Sequence, residues 1–144
     1  MEVNIRPATL RDAAEMARLS GHFGYACEES EMHERLERLL DSEFDWAWVA
    51  EGADGLLGWM QLTEMQRLES GRFIEITGLV VDEAHRSLGV GGMLLQQARL
   101  HAELAEMKRV VVRSNVVRER AIGFYLKHGY VAVKRQQVLQ LNLE

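Results

Sequence analysis

The chain has one cysteine, Cys27, and one proline, Pro7, in 144 residues. A lone cysteine excludes an internal disulfide, which suits a reducing compartment, and a cytoplasmic location is expected. No proline follows Pro7, and repeats and low-complexity tracts are lacking, so nothing marks a boundary inside the chain. One domain spanning residues 1–144 is the expectation. No apolar run is long enough to cross a bilayer. The opening MEVNIRPATLRD carries acids where a secretory leader would be apolar. Basic charge is scarce too: 17 Lys and Arg stand against 22 Asp and Glu, a net charge of -5. That argues against nucleic acid as a partner, which needs a basic face. It is compatible with cationic substrates such as amines, although mild acidity is common.

What is present suits a soluble domain with one hydrophobic core: 47% of residues are hydrophobic. Val3 to Arg6 reads as a short strand. Thr9, with Asp12 three residues on, reads as a helix start. Met32, Leu36, Leu39 and Leu40 share one face of a second helix over Ser30 to Leu40. Trp46 to Glu51 and Leu56 to Glu64 flank the turn GADG as a hairpin. Arg72 to Asp82 is the longest strand candidate. A helix follows a glycine-rich turn from Gly89, then a buried strand over Lys108 to Arg113. A helix over Arg118 to His128 stops at Gly129. Beyond it, Val138, Gln140 and Asn142 alternate against Leu139, Leu141 and Leu143, which predicts one or two closing strands. The order β-α-α-β-β-β-α-β-α-β(-β) is that of a mixed α/β domain.

The segment VVDEAHRSLGVGGMLL, Val80 to Leu95, is the most informative. A strand runs into Gly89, Gly91 and Gly92, and a helix begins there. Backbone N–H groups at such a turn converge on an anion, and the helix N-terminus adds partial positive charge. The absence of Cβ atoms lets a phosphate approach. A plain strand-to-helix turn is the alternative, but each glycine weakens the helix start it borders. The segment lacks the Gly-Lys-Ser/Thr ending of a P-loop. It also fails the last glycine of the dinucleotide fingerprint. It does fit Arg-x-x-Gly-x-Gly, as Arg86, Gly89 and Gly91.

With the RPAT start and the later SNVVRERAIGFYLKHGYV, this core resembles the GNAT superfamily of acyl-CoA-dependent N-acetyltransferases over nearly the whole chain. The resemblance implies a twisted, mostly antiparallel sheet that splays beside its fourth strand, with acetyl-CoA in the cleft as cosubstrate and no metal. It implies that Leu79, Val80 and Val81 offer backbone groups to the pantetheine arm and thioester. Arg86, Ser87, Leu88, Gly89, Val90, Gly91 and Gly92 would hold the pyrophosphate. Asn115 would contact the cofactor, or serve only as a helix cap. Tyr125 matches the family's proton donor to the leaving thiolate; read from helical spacing alone, it is a core aromatic. Arg118 and Arg120 would meet a phosphate or remain solvated.

A general base must take the amine's proton, and Glu75 inside the apolar run FIEITGLVV is the candidate. With regular alternation it faces the same way as Phe73, Thr77, Leu79 and Val81. A bulge at Gly78 would switch the residues beyond it. An ion-paired glutamate is the competing reading. Some relatives carry a glutamate base on the next strand, where Val111 stands, so peptide N-terminal acetylation by that scheme is disfavoured. His85 reads as a loop residue. His22, Tyr25, Glu28 and Glu29 belong to the region that covers the acceptor in such proteins, or are ordinary surface. Cys27 has no histidine partner in view. The expected activity is acetyl transfer to a small-molecule amine; a protein or peptide acceptor and a non-catalytic acyl-CoA binder remain the rivals. A homodimer is expected.

Overall fold

The computed structural model describes residues 2–143 apart from Phe23 and Tyr25, with Arg86 and Ser87 described by their backbone alone. Contacts divide the chain into two units, Met1–Arg113 and Ser114–Glu144. In the first, five strands lie side by side in chain order. They are β1 (Asn4–Pro7), β2 (Asp45–Gly52), β3 (Gly55–Arg67), β4 (Gly71–Val81) and β5 (Val110–Val112). The first four pair antiparallel, and β5 joins β4 in parallel. Helices α1 (Ala13–His22) and α2 (Glu29–Leu40) precede β2, and α3 (Val90–Leu104) connects β4 to β5. This is the expected mixed α/β architecture.

Local chemistry explains the element ends. A 3-10 turn, Leu10–Asp12, leads into α1. The Asp12 carboxylate accepts the Thr9 N–H at 2.8 Å and both terminal nitrogens of Arg6 at 2.9 Å. Asp12 is buried, so this charge-assisted pair fastens β1 to the start of α1. Arg6 and then Thr9 hold the Asp12 carboxyl below its ordinary range, against the upward push of burial. The β2–β3 hairpin closes on Gly52 opposite Gly55. Gly55 has φ 137°, and a Cβ there would strike the Glu15 carboxylate. Glu15 accepts the Leu56 N–H at 3.2 Å, tying α1 to the hairpin turn.

The sheet is covered on both faces. On one, Met16 and Leu19 of α1 and Leu36 of α2 cluster with Val49, Leu56 and Val80. Trp59 lies on this face and donates its indole N–H to the Met16 carbonyl at 3.2 Å. On the other face, a Cβ at Gly58 would lie 3.4 Å from both Val90 and Leu94 of α3. Val90 and Leu94 are wholly buried, and full burial of such a side chain contributes about 1.5–3 kcal/mol.

The pairing of β3 with β4 shifts register between Gln61 and Leu62: Gln61 opposes Gly78, while Leu62 opposes Ile76. Thr77 is therefore the extra residue of a bulge, one place before the glycine expected to host it. The facing changes as a result. Thr63 opposes Glu75 and Trp59 opposes Val80, so Glu75, Gly78 and Val80 share the α1/α2 face. Regular alternation would have put Leu79 and Val81 there instead.

The second unit holds α4 (Glu119–Lys127), which ends before Gly129 at φ 93°. Two expectations fail in this unit. Asn115 does not cap α4; the cap residue is Arg118. Asn115 instead accepts the Val117 N–H at 3.1 Å, two residues on, in an Asx turn. The closing strands are also absent: residues 131–143 are exposed and carry no regular structure. Alternation specifies which residues of a strand share a side, but not by itself that a strand forms.

Candidate active site

Two features of the first unit meet at the end of β4. β5 pairs only with Ile74, Glu75 and Ile76. Among the described residues no strand lies against the same edge of β4 from Thr77 to Val81. Within the first unit the peptide groups of Leu79, Val80 and Val81 thus have no strand partner on that side, where the sequence expects a thioester and its arm. Gly58 keeps this stretch in place. A Cβ there would sit 2.8 Å from the Val80 carbonyl oxygen, so only glycine lets β3 and β4 approach so closely.

From Val81 the chain passes through a 3-10 segment, Glu83–Leu88, to Gly89. Gly89 is left-handed at φ 75° and caps α3. The Met93 N–H returns to the Gly89 carbonyl at 3.1 Å. The N–H groups of Val90, Gly91 and Gly92 therefore start the helix without intrahelical acceptors. A Cβ at Gly89 would meet nothing within 4 Å, so the glycine serves conformation there and not close packing. Leu88 is exposed; the side chains of Arg86 and Ser87 lie outside the described residues. His85 places Nδ1 3.1 Å from an Asp82 carboxylate oxygen. Burial pushes the Asp82 carboxyl up, but the Ala84 N–H and His85 outweigh it and hold the group below its ordinary range.

Glu75 is 8% exposed in mid-β4. Arg113 donates Nε to its Oε1 at 3.3 Å. The carboxylate is thus ion-paired, as the competing reading expects, and it stands on the α1/α2 face of the sheet. Its neighbour on β5 is Val111, in direct register. Glu75 consequently presents a carboxylate one strand over from the place where some relatives carry theirs.

The register extends this into a row that sequence reasoning missed: Asp45 opposes Thr63, and Thr63 opposes Glu75. Thr63 Oγ1 donates to Asp45 at 2.7 Å, and Ser42 donates to the other Asp45 oxygen at 2.8 Å. Thr77 Oγ1 lies 3.1 Å from Thr63 Oγ1. Because Thr63 has one proton and gives it to Asp45, Thr77 is the donor in that contact. The bulge brings Thr77 to this row. The signal was available in the hairpin, since closing GADG at Gly52 and Gly55 sets Asp45 near Thr63.

In the second unit Tyr125 is half-buried on α4, with ring centroids 5.2 Å from Phe124 and 5.6 Å from Tyr130. Burial, and secondarily Tyr130, push its phenol up to about 12, so it keeps its proton at neutral pH. Asn115, Arg118 and Arg120 are exposed. Of the residues expected to cover the acceptor, His22, Glu28 and Glu29 are exposed. The Glu28 N–H donates to Glu31 at 3.1 Å and so helps to start α2. Tyr25 lies outside the described residues. Cys27 is half-buried and accepts from Arg35 at 3.5 Å.

The family description "Acetyltransferase (GNAT) domain" matches residues 44–132. No curated protein matches the chain. Among solved structures, an aminoglycoside 6'-N-acetyltransferase from Acinetobacter baumannii superposes with a TM-score of 0.86 at 13% identity, covering 99% of this chain and 100% of that one. A GNAT family acetyltransferase from Staphylococcus aureus gives 0.81 at 18% identity, covering 98% and 100%. A ribosomal-protein-alanine N-acetyltransferase from Brucella melitensis gives 0.78 at 22% identity, also covering 98% and 100%. At these identities the likeness is one of fold. The structures span small-molecule and protein acceptors, so fold alone does not select between them.

Proposed function

This chain belongs to the GNAT acetyltransferase family, and we propose that it moves an acetyl group from acetyl-CoA to an amine of a small molecule by direct attack. The observation that carries the reading is the edge of β4 that no strand of the first unit covers, running on, through Gly89, to the bare N–H groups of Val90, Gly91 and Gly92. Edge peptide groups suit an extended arm ending in a thioester, and a helix N-terminus suits pyrophosphate.

The mechanism follows from the groups present. The acceptor nitrogen, once it has lost its ammonium proton and holds a lone pair, attacks the thioester carbonyl carbon. Backbone N–H groups near Leu79 to Val81 take the charge that develops on the carbonyl oxygen. The nitrogen's proton passes to Glu75, directly or through water. As the C–S bond breaks, the thiolate takes the Tyr125 phenol proton, and solvent restores it. A phenol held neutral to about pH 12 is always loaded for that step at working pH.

The acceptor proposed is a cationic small amine. Asp45 and Glu75 put two carboxylates in one row of the sheet face, and the chain as a whole carries a net charge of -5. A protein or peptide N-terminus is the rival, and the valine at 111 weighs against it. Several similar structures are aminoglycoside acetyltransferases, so aminoglycosides open the screen of acceptors, followed by polyamines.

Calorimetric titration with acetyl-CoA, CoA and ATP tests the reading. Tight binding of both CoA species with weak ATP binding is the expected result, followed by CoA release when a suitable amine is added. Binding without turnover of any amine or peptide would make the chain an acyl-CoA binder. No binding would overturn the cofactor assignment.

A further inference from the structure

The hydroxyl groups that gather on Asp45 form a chain with one direction. A carboxylate has two accepting oxygens and no proton to give. Ser42 donates to one oxygen of Asp45 at 2.8 Å, and Thr63 donates to the other at 2.7 Å. The Ser42 hydroxyl is itself fixed, since it accepts the Phe44 N–H at 3.2 Å. A threonine hydroxyl carries a single proton. Thr63 gives its proton to Asp45, so toward Thr77 Oγ1, 3.1 Å away, it only accepts. A second neighbour of Thr77 Oγ1 is the Gln61 carbonyl at 3.4 Å, which also only accepts. The Thr77 proton is therefore spent on the protein, whichever of the two receives it. What the hydroxyl offers a ligand is oxygen lone pairs alone.

The place of this oxygen in the fold gives it a use. Within the first unit Thr77 is exposed, while Asp45 and Thr63 are half-buried. Thr77 is the bulge residue of β4, and it is the first residue past the pairing with β5, which ends at Ile76. Leu79, where the thioester is expected, lies two residues on, about 7 Å along the strand. Glu75, the proposed base, lies two residues the other way and on the same face of the sheet as Thr63. An acceptor held at Thr77 thus stands between the carboxylate and the thioester edge.

We propose that Thr77 binds the acceptor by taking an N–H of the amine on its oxygen, and that Thr63 and Asp45 are positioning residues that keep the Thr77 proton turned away from it. The ligand class follows from the direction of the chain. A primary amine or ammonium has N–H groups to give, and a hydrogen bond from a charged donor is the stronger kind. A carboxylate or carbonyl oxygen offered to Thr77 meets only lone pairs. No bond is made or broken at Thr77. The proposal rests on the acetyl-transfer reading for its amine, and it assigns that amine a contact. Cross-strand threonine pairs also stabilise sheets, but that role alone leaves amine affinity untouched.

The test compares the full chain with Thr77→Val, Thr77→Ser, Thr63→Val and the double variant Thr63→Val/Thr77→Val. Kanamycin and spermidine serve as amines. Each is titrated calorimetrically into the protein with and without CoA, and each is assayed for CoA release from acetyl-CoA. Thr77→Val should weaken amine binding and raise the KM of the amine about tenfold. Acetyl-CoA affinity should stay within about a factor of two, and the thermal melt should hold. Thr77→Ser, which keeps the hydroxyl, should remain within about threefold of the parent. Thr63→Val should weaken amine binding less than Thr77→Val does. Added to Thr77→Val it should cost nothing further, because it acts through Thr77. Parent-like amine affinity in Thr77→Val would overturn the proposal. So would equal losses for valine and serine, or additive losses in the double variant. A lowered melt with amine affinity intact would leave the threonines as a cross-strand pair and overturn it too. If the parent binds an amine and transfers no acetyl group, the acetyl-transfer reading fails, while a tenfold difference in amine binding still supports the contact. Binding of neither amine to the parent overturns it.

Discussion

Replacing Gly92 by glutamate should move stability and cofactor affinity in opposite directions. Gly92 is the third residue of α3, in the first turn, where the N–H groups have no intrahelical acceptors. Removing a glycine from a helix gains roughly 0.5–1 kcal/mol. An acid in the first turn gains roughly another 0.3–1 kcal/mol from the helix dipole. Fold stability should therefore rise by about 1 kcal/mol, or roughly 2–4 °C in melting temperature for a chain of this size. The same carboxylate would stand about 6 Å from a pyrophosphate seated on the helix end. Each of its two charges is then repelled by about 0.7 kcal/mol in water, and several-fold more where water is partly excluded. Affinity for acetyl-CoA should fall at least tenfold, and added salt should restore part of the loss. Gly92→Lys supplies bulk with the opposite charge and should bind as well as the parent or better. Gly92→Ala reports the helix contribution alone. Calorimetry and thermal melts on the four proteins decide the matter. Equal losses for Glu and Lys would mean that bulk and not charge is at issue, and no loss for Glu would place the pyrophosphate elsewhere.

Tyr125→Phe should lower kcat by about 100-fold or more, the usual share of a positioned acid, with acetyl-CoA affinity within a factor of two; unchanged turnover would make Tyr125 a packing residue. The same substitution bears on alkaline stability. Because the folded phenol is pushed from 10 up to about 12, its contribution is complete below pH 10 and is lost as pH rises through about 12. Denaturant melts of Tyr125→Phe should be flatter than the parent across that window. Glu75→Gln should lower kcat by about 100-fold while KM for acetyl-CoA holds; activity near that of the parent would leave Glu75 as the partner of Arg113 and nothing more. Gly58→Ala drives a Cβ to 2.8 Å from the Val80 carbonyl, where backbone must give. It should cost about 1–3 kcal/mol, and it should weaken acetyl-CoA binding because it displaces the β4 edge; a neutral melt would refute the close approach.

The elements that were legible in the sequence are those whose cause is local. GADG with its positive-φ Gly55 announces the hairpin, and Thr9 with Asp12 announces the start of α1. Gly89 and Gly129 punctuate α3 and α4. The longer reach of β3, to Arg67 where Glu64 was expected to end it, depends on a partner: Arg72 of β4 pairs with Glu64 at 3.2 Å. Its last residues, Gln66 and Arg67, are exposed and look like loop when read alone. The bulge at Thr77 is a property of two strands together, and no single run of residues encodes it. For the same reason Asp45 and Thr63 did not stand out. Each is an ordinary polar residue until register sets Thr63 between Asp45 and Glu75. The C-terminal segment shows the reverse case, an alternating pattern in the sequence over residues that carry no regular structure.

The chain order of the sheet also bears on how the cleft comes into being. Strands β1 to β4 stand in the order in which they are synthesised, and β2, β3 and β4 are joined by short turns, so much of the sheet can grow by adding neighbours. β2 must return to β1 across α1 and α2, and β5 must return to β4 across α3, the latter for a parallel pairing of only three residues. Such a long-range closure is slow and weakly rewarded. The cleft is bounded by β5, the stretch of β4 beyond its pairing and the start of α3, and it is expected to form last and open first. A ligand that grips both β4 and α3 would bind only the closed form, so the cosubstrate itself would act as the fastener of the least stable part of the fold.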